Sequence, residues 1–201
     1  MSTLKKRISA KSETTRAKLL SAARKEIGKN GYGGATVDAI AAEAGVSKGV
    51  VYYYFKTKSD IASSVLTTTF AELVDSFENI IASSSTLHET LERLVCDFAH
   101  RIFANREGAR FILAEIWRDD RLWSNDMREL EERLANLIEA VLGHGIEEGA
   151  IRPDIDKRFC AIAIVGTVLT GAQYYLLLED GGEEESFVAH CTDFIDHALR
   201  A

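Results

Sequence analysis

The side chains in this 201-residue chain with the most chemistry to offer are basic ones gathered at its start. Residues 1–60 hold 12 Lys/Arg (Lys5, Lys6, Arg7, Lys11, Arg16, Lys18, Arg24, Lys25, Lys29, Lys48, Lys56 and Lys58) against five acids, a net +7. The remaining 141 residues hold 12 basic and 26 acidic residues, a net −14, so the overall −7 conceals two regions of opposite sign. A basic headpiece on an acidic body attracts phosphates locally, while the body repels them and favours solubility. Enzyme chemistry finds no foothold: there is no Gly-rich phosphate loop, nucleophile elbow or HExxH pattern. Cys96 and His100 lie four apart with His88 roughly two turns earlier, a spacing that arises readily by chance, so no metal and no cofactor are expected. Cys96, Cys160 and Cys191 form no CxxC pair and no signal-peptide pattern precedes them, so a reducing cytoplasm is the expected compartment.

Within the basic region, the segment Val37-Asp-Ala-Ile-Ala-Ala-Glu-Ala-Gly-Val-Ser-Lys-Gly-Val-Val-Tyr54 meets several independent demands of a helix-turn-helix. Ala41 is small where two helices cross closely. Gly45 can take the positive φ of a tight turn, and Ile40, Val46 and Val51 supply a shared core. Two short helices so joined leave the second protruding, with its N-terminal residues free to enter a major groove.

The elements that hold this segment read as helices throughout. One proline, Pro153, and no alternating run bounded by turn residues leave β-structure almost nowhere to form. Met1–Lys11 is expected to be a flexible basic arm, and Leu19, Ala23 and Ile27 mark a first helix from about Ser12 to Asn30, stopped by Gly31. Thr36 caps a second helix that ends at Gly45, and Ser47 caps a third that runs to about Phe55. Thr57-Lys58-Ser59-Asp60 has the form of a helix start, followed by Leu66, Phe70, Leu73, Phe77 and Ile80 at helical spacing and closed by Ser83 to Ser85. Further helices are expected from about Leu87 to Ala104, Glu107 to Arg118 and Ser124 to Glu148. After a turn at Gly149, Pro153 and Asp154, a helix follows whose 20 positions from Phe159 to Leu178 carry no charge. That length could span a bilayer, but Gly166, Thr167, Thr170, Gly171 and Gln173 dilute it and no basic flank supports insertion, so it is expected to be buried on all sides of a soluble body. Gly181-Gly182 introduces the last helix, with Phe187, Cys191, Phe194 and Ile195. The expected architecture is all-α with about nine helices: arm 1–11, helix-turn-helix domain 12–58 and a larger helical domain 59–201.

The stretch Leu19 to Ile61 contains Gly31-Tyr32, Thr36-Val37, Ile40-Ala41, Ala44-Gly45-Val46-Ser47-Lys48-Gly49, Val51-Tyr52-Tyr53-Tyr54-Phe55 and Lys56-Thr57-Lys58. In these 43 residues the chain closely resembles the tetracycline-repressor (TetR) family of bacterial regulators. Beyond them the helix count and the turn Glu148-Gly149-Ala150-Ile151-Arg152-Pro153-Asp154 are similar to the family, and there the resemblance carries architecture alone. It implies a sequence-specific regulator, most often a repressor, that binds a palindromic double-stranded DNA operator as a homodimer and is released by a small-molecule effector. The implied DNA-binding residues are Thr36, Ser47, Lys48, Gly49, Val50, Tyr52, Tyr53, Tyr54 and Lys58. Thr36, Tyr52, Tyr53 and Lys58 would touch phosphates, and Lys48 and Gly49 would lie at base edges. Val50 departs from the small polar residue often found there and suits a thymine methyl, and Tyr54 stands where many members have histidine. The effector would sit among Phe98, Phe103, Phe111, Glu115, Trp117, Trp123, Tyr174 and Tyr175. The dimer would form through Cys160, Ile164, Thr167, Val168, Gly171, Phe194 and Ile195 of the last two helices. No membrane partner is implied.

Overall fold

Long runs without proline, punctuated by glycine and capping residues, give a chain that is helical almost wherever it is described. The computed structural model describes residues 2–116, 125–177 and 182–200. Among these there are nine helices: α1 Ser2–Gly34, α2 Val37–Ala44, α3 Lys48–Tyr54, α4 Lys58–Ser83, α5 Leu87–Ala104, α6 Arg106–Ile116, α7 Asn125–Glu147, α8 Lys157–Leu177 and α9 Glu184–Leu199. The expected helix ends at Arg118, Ser124 and Glu179 and the start signal at Gly181 lie outside the described residues.

Two boundaries differ from the sequence reading. The backbone is already helical at Ser2, so residues 2–11, expected as a flexible arm, continue α1; that stretch contains neither glycine nor proline to interrupt a helix. At the other end, the expected stop at Gly31 is a kink with φ 68° and ψ 166°, after which helical geometry resumes to Gly34.

The chain divides within α4 into two compact units, residues 1–68 and 69–201, ten residues past the expected boundary because α4 runs through it unbroken. The first unit is organised around Leu19, Ala23, Ile27, Ile40, Val51, Phe55, Ile61 and Leu66, all nearly inaccessible. Burying side chains of this size stabilises by about 1.5–3 kcal/mol each. The second unit has its own core, including Val74, Leu94, Ala99, Leu142, Leu176, Phe187 and Ile195. Its α8 ends against two arginines of α6. Arg106 donates to the Tyr175 carbonyl (2.9 Å) and Arg110 to the Leu176 carbonyl (2.6 Å), so cations satisfy carbonyls at the negative end of the helix dipole.

Within the chain the uncharged helix is covered on one face. Only 22% of its most apolar stretch is buried. The inner face is Ala161, Val168, Ala172 and Leu176, while Phe159 (69% exposed), Ile162, Tyr174 and Leu177 form an uncovered outer stripe. Of the residues expected at a dimer interface, Val168 and Ile195 are instead buried in the chain's own body. Gly171 faces inward too, where an added Cβ would lie 3.4 Å from the Phe187 ring. A helix apolar on every side gives no phase, which is why the sequence misassigned its faces. Phe194 of α9 is 58% exposed. Cys160, Ile164 and Thr167 are half-buried.

Candidate nucleic-acid interface

The recognition element is built from α2 outward. Thr36 caps α2, its Oγ1 accepting from the Ala39 N–H at 3.1 Å, and the residue is exposed at the helix N-terminus, where N–H groups and dipole favour an anion. Gly45 closes α2 in the left-handed conformation, φ 69°, and the chain turns through Val46 to Ser47. Ser47 precedes α3 without a side-chain cap bond, leaving its hydroxyl uncommitted to the helix, while its carbonyl accepts from the Val50 N–H at 2.9 Å.

Helix α3 has only seven residues and is pinned by Val51, which is fully buried, with Phe55 just beyond its end. That pin turns Lys48, Gly49, Tyr52 and Tyr53 outward; Tyr52 is 47% and Tyr53 81% exposed. Large phenols at such exposure have apolar rings without a protein surface to cover them and hydroxyls able to donate to a phosphate. Val50 is half-buried at the edge of this face. An added Cβ on Gly49 would meet nothing closer than the Ser47 Oγ at 3.8 Å, so close packing within the headpiece does not require that glycine.

Several expected contact residues also have partners within the headpiece. The Lys48 Nζ donates to the Asp38 carboxylate at 2.8 Å, a bond that, together with the carboxylate charge, lifts the ammonium above its ordinary value. The Tyr54 hydroxyl is half-buried and 3.1 Å from the Ser12 Oγ of α1, so it ties α3 to the first helix. Lys58 donates to the Gly33 carbonyl at 3.3 Å and lies 4.4 Å from the centre of the Tyr32 ring, holding the end of α1. The expected helix start is present: the Thr57 N–H donates to Asp60 and the Asp60 N–H to the Thr57 hydroxyl. Sequence reasoning missed Arg16, whose guanidinium lies 5.6 Å from the Phe55 ring centre and donates to the Ser64 Oγ at 3.2 Å. These partners are 39 and 48 residues away, beyond any local signal.

The body contains a cavity of about 400 Å³ lined by Phe70, Ile116, Met127, Leu134, Ala135, Ile162, Val165 and Leu169, with Arg128, Glu131, Glu132 and Arg158 as its polar residues. Partial burial there raises the Glu131 carboxyl above its ordinary value, against the pull of Arg128. A narrower space shares Phe70, Leu134, Val165 and Leu169 and continues between Phe77, Leu94, Phe98 and Ile138 with apolar residues throughout. Of the expected effector residues, Phe98 lines this space. Phe103 and Tyr175 are instead packed with Phe187 at ring separations of 6.0 and 5.3 Å, and Arg106 stacks on Phe103. Tyr174 points to the outer stripe, Phe111 and Glu115 are buried on α6, and Trp117 and Trp123 lie outside the described residues. Tertiary packing outranked aromatic character: the cavity walls are mainly aliphatic residues of α7 and α8 with Phe70 of α4, which the sequence marks only as core.

A sequence profile of the family described as bacterial regulatory proteins, tetR family, matches residues 19–65, the segment that carries the recognition element. The fatty acid metabolism regulator protein of Bacillus subtilis is 27% identical over 150 residues, 75% of this chain and 77% of that one. The HTH-type transcriptional repressor KstR2 of Rhodococcus jostii is 26% identical over 164 residues, 80% of this chain and 79% of that protein. Among solved structures, the transcriptional regulator FadR from Bacillus subtilis in complex with stearoyl-CoA superposes with a TM-score of 0.78 at 22% identity, covering 92% of this chain and 99% of that one.

Proposed function

We propose that this chain, a DNA-binding transcriptional regulator of the TetR family, represses transcription as a cytoplasmic homodimer on a palindromic operator and leaves the DNA when an apolar effector fills its body. The observation that carries the DNA reading is the outward face of α3. Lys48, Gly49, Tyr52 and Tyr53 are exposed on a helix anchored from behind by Val51, in a region of net charge +7. Lys48 suits guanine O6/N7 and Val50 a thymine methyl. Thr36, Ser47, Tyr52, Tyr53 and Lys58 suit phosphates, and Tyr54 acts from behind by holding α3 to α1.

The outer stripe of α8 with Phe194 of α9 supports the homodimer. Large apolar side chains left open at both ends of one helix favour burial against a partner, and in a twofold assembly each copy covers the other's stripe. The cavity supports the effector. A largely apolar space, whose polar residues are two arginines and two glutamates with Arg158 paired to Glu132, suits an elongated hydrocarbon, and the structural relative FadR is complexed with stearoyl-CoA.

The deciding experiment is selection of bound duplexes from a random pool by the purified protein. The expected result is one enriched palindrome whose half-sites lie about 34–36 Å apart, bound far more tightly than a scrambled duplex and released by stearoyl-CoA. Equal affinity for operator and scrambled DNA at moderate salt would overturn the reading of the headpiece.

A further inference from the structure

The headpiece places an acid on the surface it offers to DNA, and that acid holds Lys48, the one lysine of α3. Asp38 stands in the first turn of α2 and accepts from the Lys48 Nζ at 2.8 Å. Both side chains are largely open to solvent, so packing does not impose the pair. A carboxylate near the N-terminus of a helix has a local reason to be there, the helix dipole. That reason does not explain the bond to Lys48, ten residues on and in the next helix. Nor does it offset the repulsion that such a charge meets from every phosphate near the Thr36 end of α2.

We infer that Asp38 is a positioning residue that sets specificity: by holding the Lys48 ammonium beside the start of α3, it keeps that lysine on a base edge and denies it to phosphates. An unrestrained lysine is a flexible point charge that pairs with any phosphate within reach, which adds affinity without sequence information. Restrained, its donors point one way, and Asp38 itself weakens binding to DNA on which Lys48 finds no acceptor. The cost falls on every duplex; the gain comes only on the right one.

This inference rests on the reading that Lys48 contacts a base, and the test separates the two. The affinity of the full-length protein is measured for its selected palindrome and for a scrambled duplex of the same length, across a salt series, for wild type, Asp38→Asn, Asp38→Glu, Lys48→Ala and the double variant. Asp38→Asn is expected to tighten binding to scrambled DNA, to steepen its salt slope by about one unit as Lys48 recruits a phosphate, and to lower discrimination by about fivefold or more. Asp38→Glu, which keeps the carboxylate, restores most of the discrimination. In the Lys48→Ala background, Asp38→Asn leaves discrimination within about twofold. If Asp38→Asn lowers discrimination equally without Lys48, the carboxylate acts as bulk charge and the inference fails. If Lys48→Ala lowers discrimination while Asp38→Asn leaves both ratio and slope unchanged, the inference fails and the reading of Lys48 stands. If Lys48→Ala leaves discrimination unchanged, the reading of Lys48 fails first. Should Asp38→Asn not fold, Asp38→Ser takes its place, since serine also suits the start of a helix.

Discussion

Lys58 has structural partners of its own beside the phosphate contact proposed for it. Its ammonium caps the Gly33 carbonyl and lies over Tyr32, so Lys58→Ala removes both a donor at the end of α1 and a cation–π contact of about 0.5–1 kcal/mol. We expect a lower thermal midpoint together with uniformly weaker binding to all duplexes and a salt slope reduced by about one unit. A lower midpoint with an unchanged slope would leave Lys58 a purely structural residue. Cys191 offers a separate check on the body. Burial pushes its thiol up to about 11, against about 8.5 for an unfolded thiol. The unfolded chain therefore ionises first, so this group's contribution to stability is complete below about pH 8.5 and is lost as pH rises toward about 11. Denaturant midpoints at pH 8 and pH 10.5 should fall more for wild type than for Cys191→Ala, and at pH 8 maleimide should label the exposed Cys96 before Cys191. At this scale the sequence was legible where one residue type serves one local geometry, as at Thr36 and Gly45. It was silent where partners are remote, as for Tyr54 with Ser12, Lys58 with Gly33 and Arg16 with Ser64.

Helices were legible for the same local reason: caps, glycine stops and periodicity act within a few residues. Two glycines separate the ways in which a turn and a packed helix depend on that residue. Gly45 has φ 69° and empty space around an added Cβ, so Gly45→Ala is strained by backbone conformation alone, and about 1 kcal/mol is expected. Asparagine at this position should lose less, because it tolerates the left-handed region. Gly145 lies in the regular α7, yet its Cβ would come within 2.8 Å of the side chains of Ile151 and Leu87. Gly145→Ala is therefore expected to cost about 1–3 kcal/mol through overpacking, and Leu87→Ala should relieve part of it in a double-mutant cycle. Denaturant unfolding of these variants and of the Gly145→Ala, Leu87→Ala double variant checks both statements; additivity between Gly145→Ala and Leu87→Ala would refute the steric account. The sequence announces Gly45 by its place between two helices. Gly145 looks unremarkable, since only the folded body brings Ile151 and Leu87 onto it.

For the whole molecule, the charge split and helix count predicted a basic headpiece and a helical body, but the phase of α8 could not be read from a segment that carries no charge from Phe159 to Leu178. That phase decides which side chains a second copy would cover. With Phe159, Ile162, Tyr174 and Leu177 outward on a 21-residue helix, about 30 Å long, a second copy can cover the stripe and approach the roughly 800 Å² per partner typical of a stable interface. A palindrome also requires two headpieces on one twofold axis, so dimerisation and operator binding should fail together. Phe159→Glu with Phe194→Glu replaces two exposed rings, 69% and 58% accessible, by like charges facing their own copies. The substitutions leave the chain's own core untouched. Sedimentation equilibrium is expected to show wild type as a dimer and the double variant as a monomer at the same micromolar concentration. The monomer should keep its helical circular dichroism, bind scrambled DNA nearly as wild type does, and lose preference for the full palindrome over a single half-site. A wild-type monomer, or a double variant that remains dimeric and selective, would move the partner surface away from α8 and leave its apolar stripe in need of another occupant.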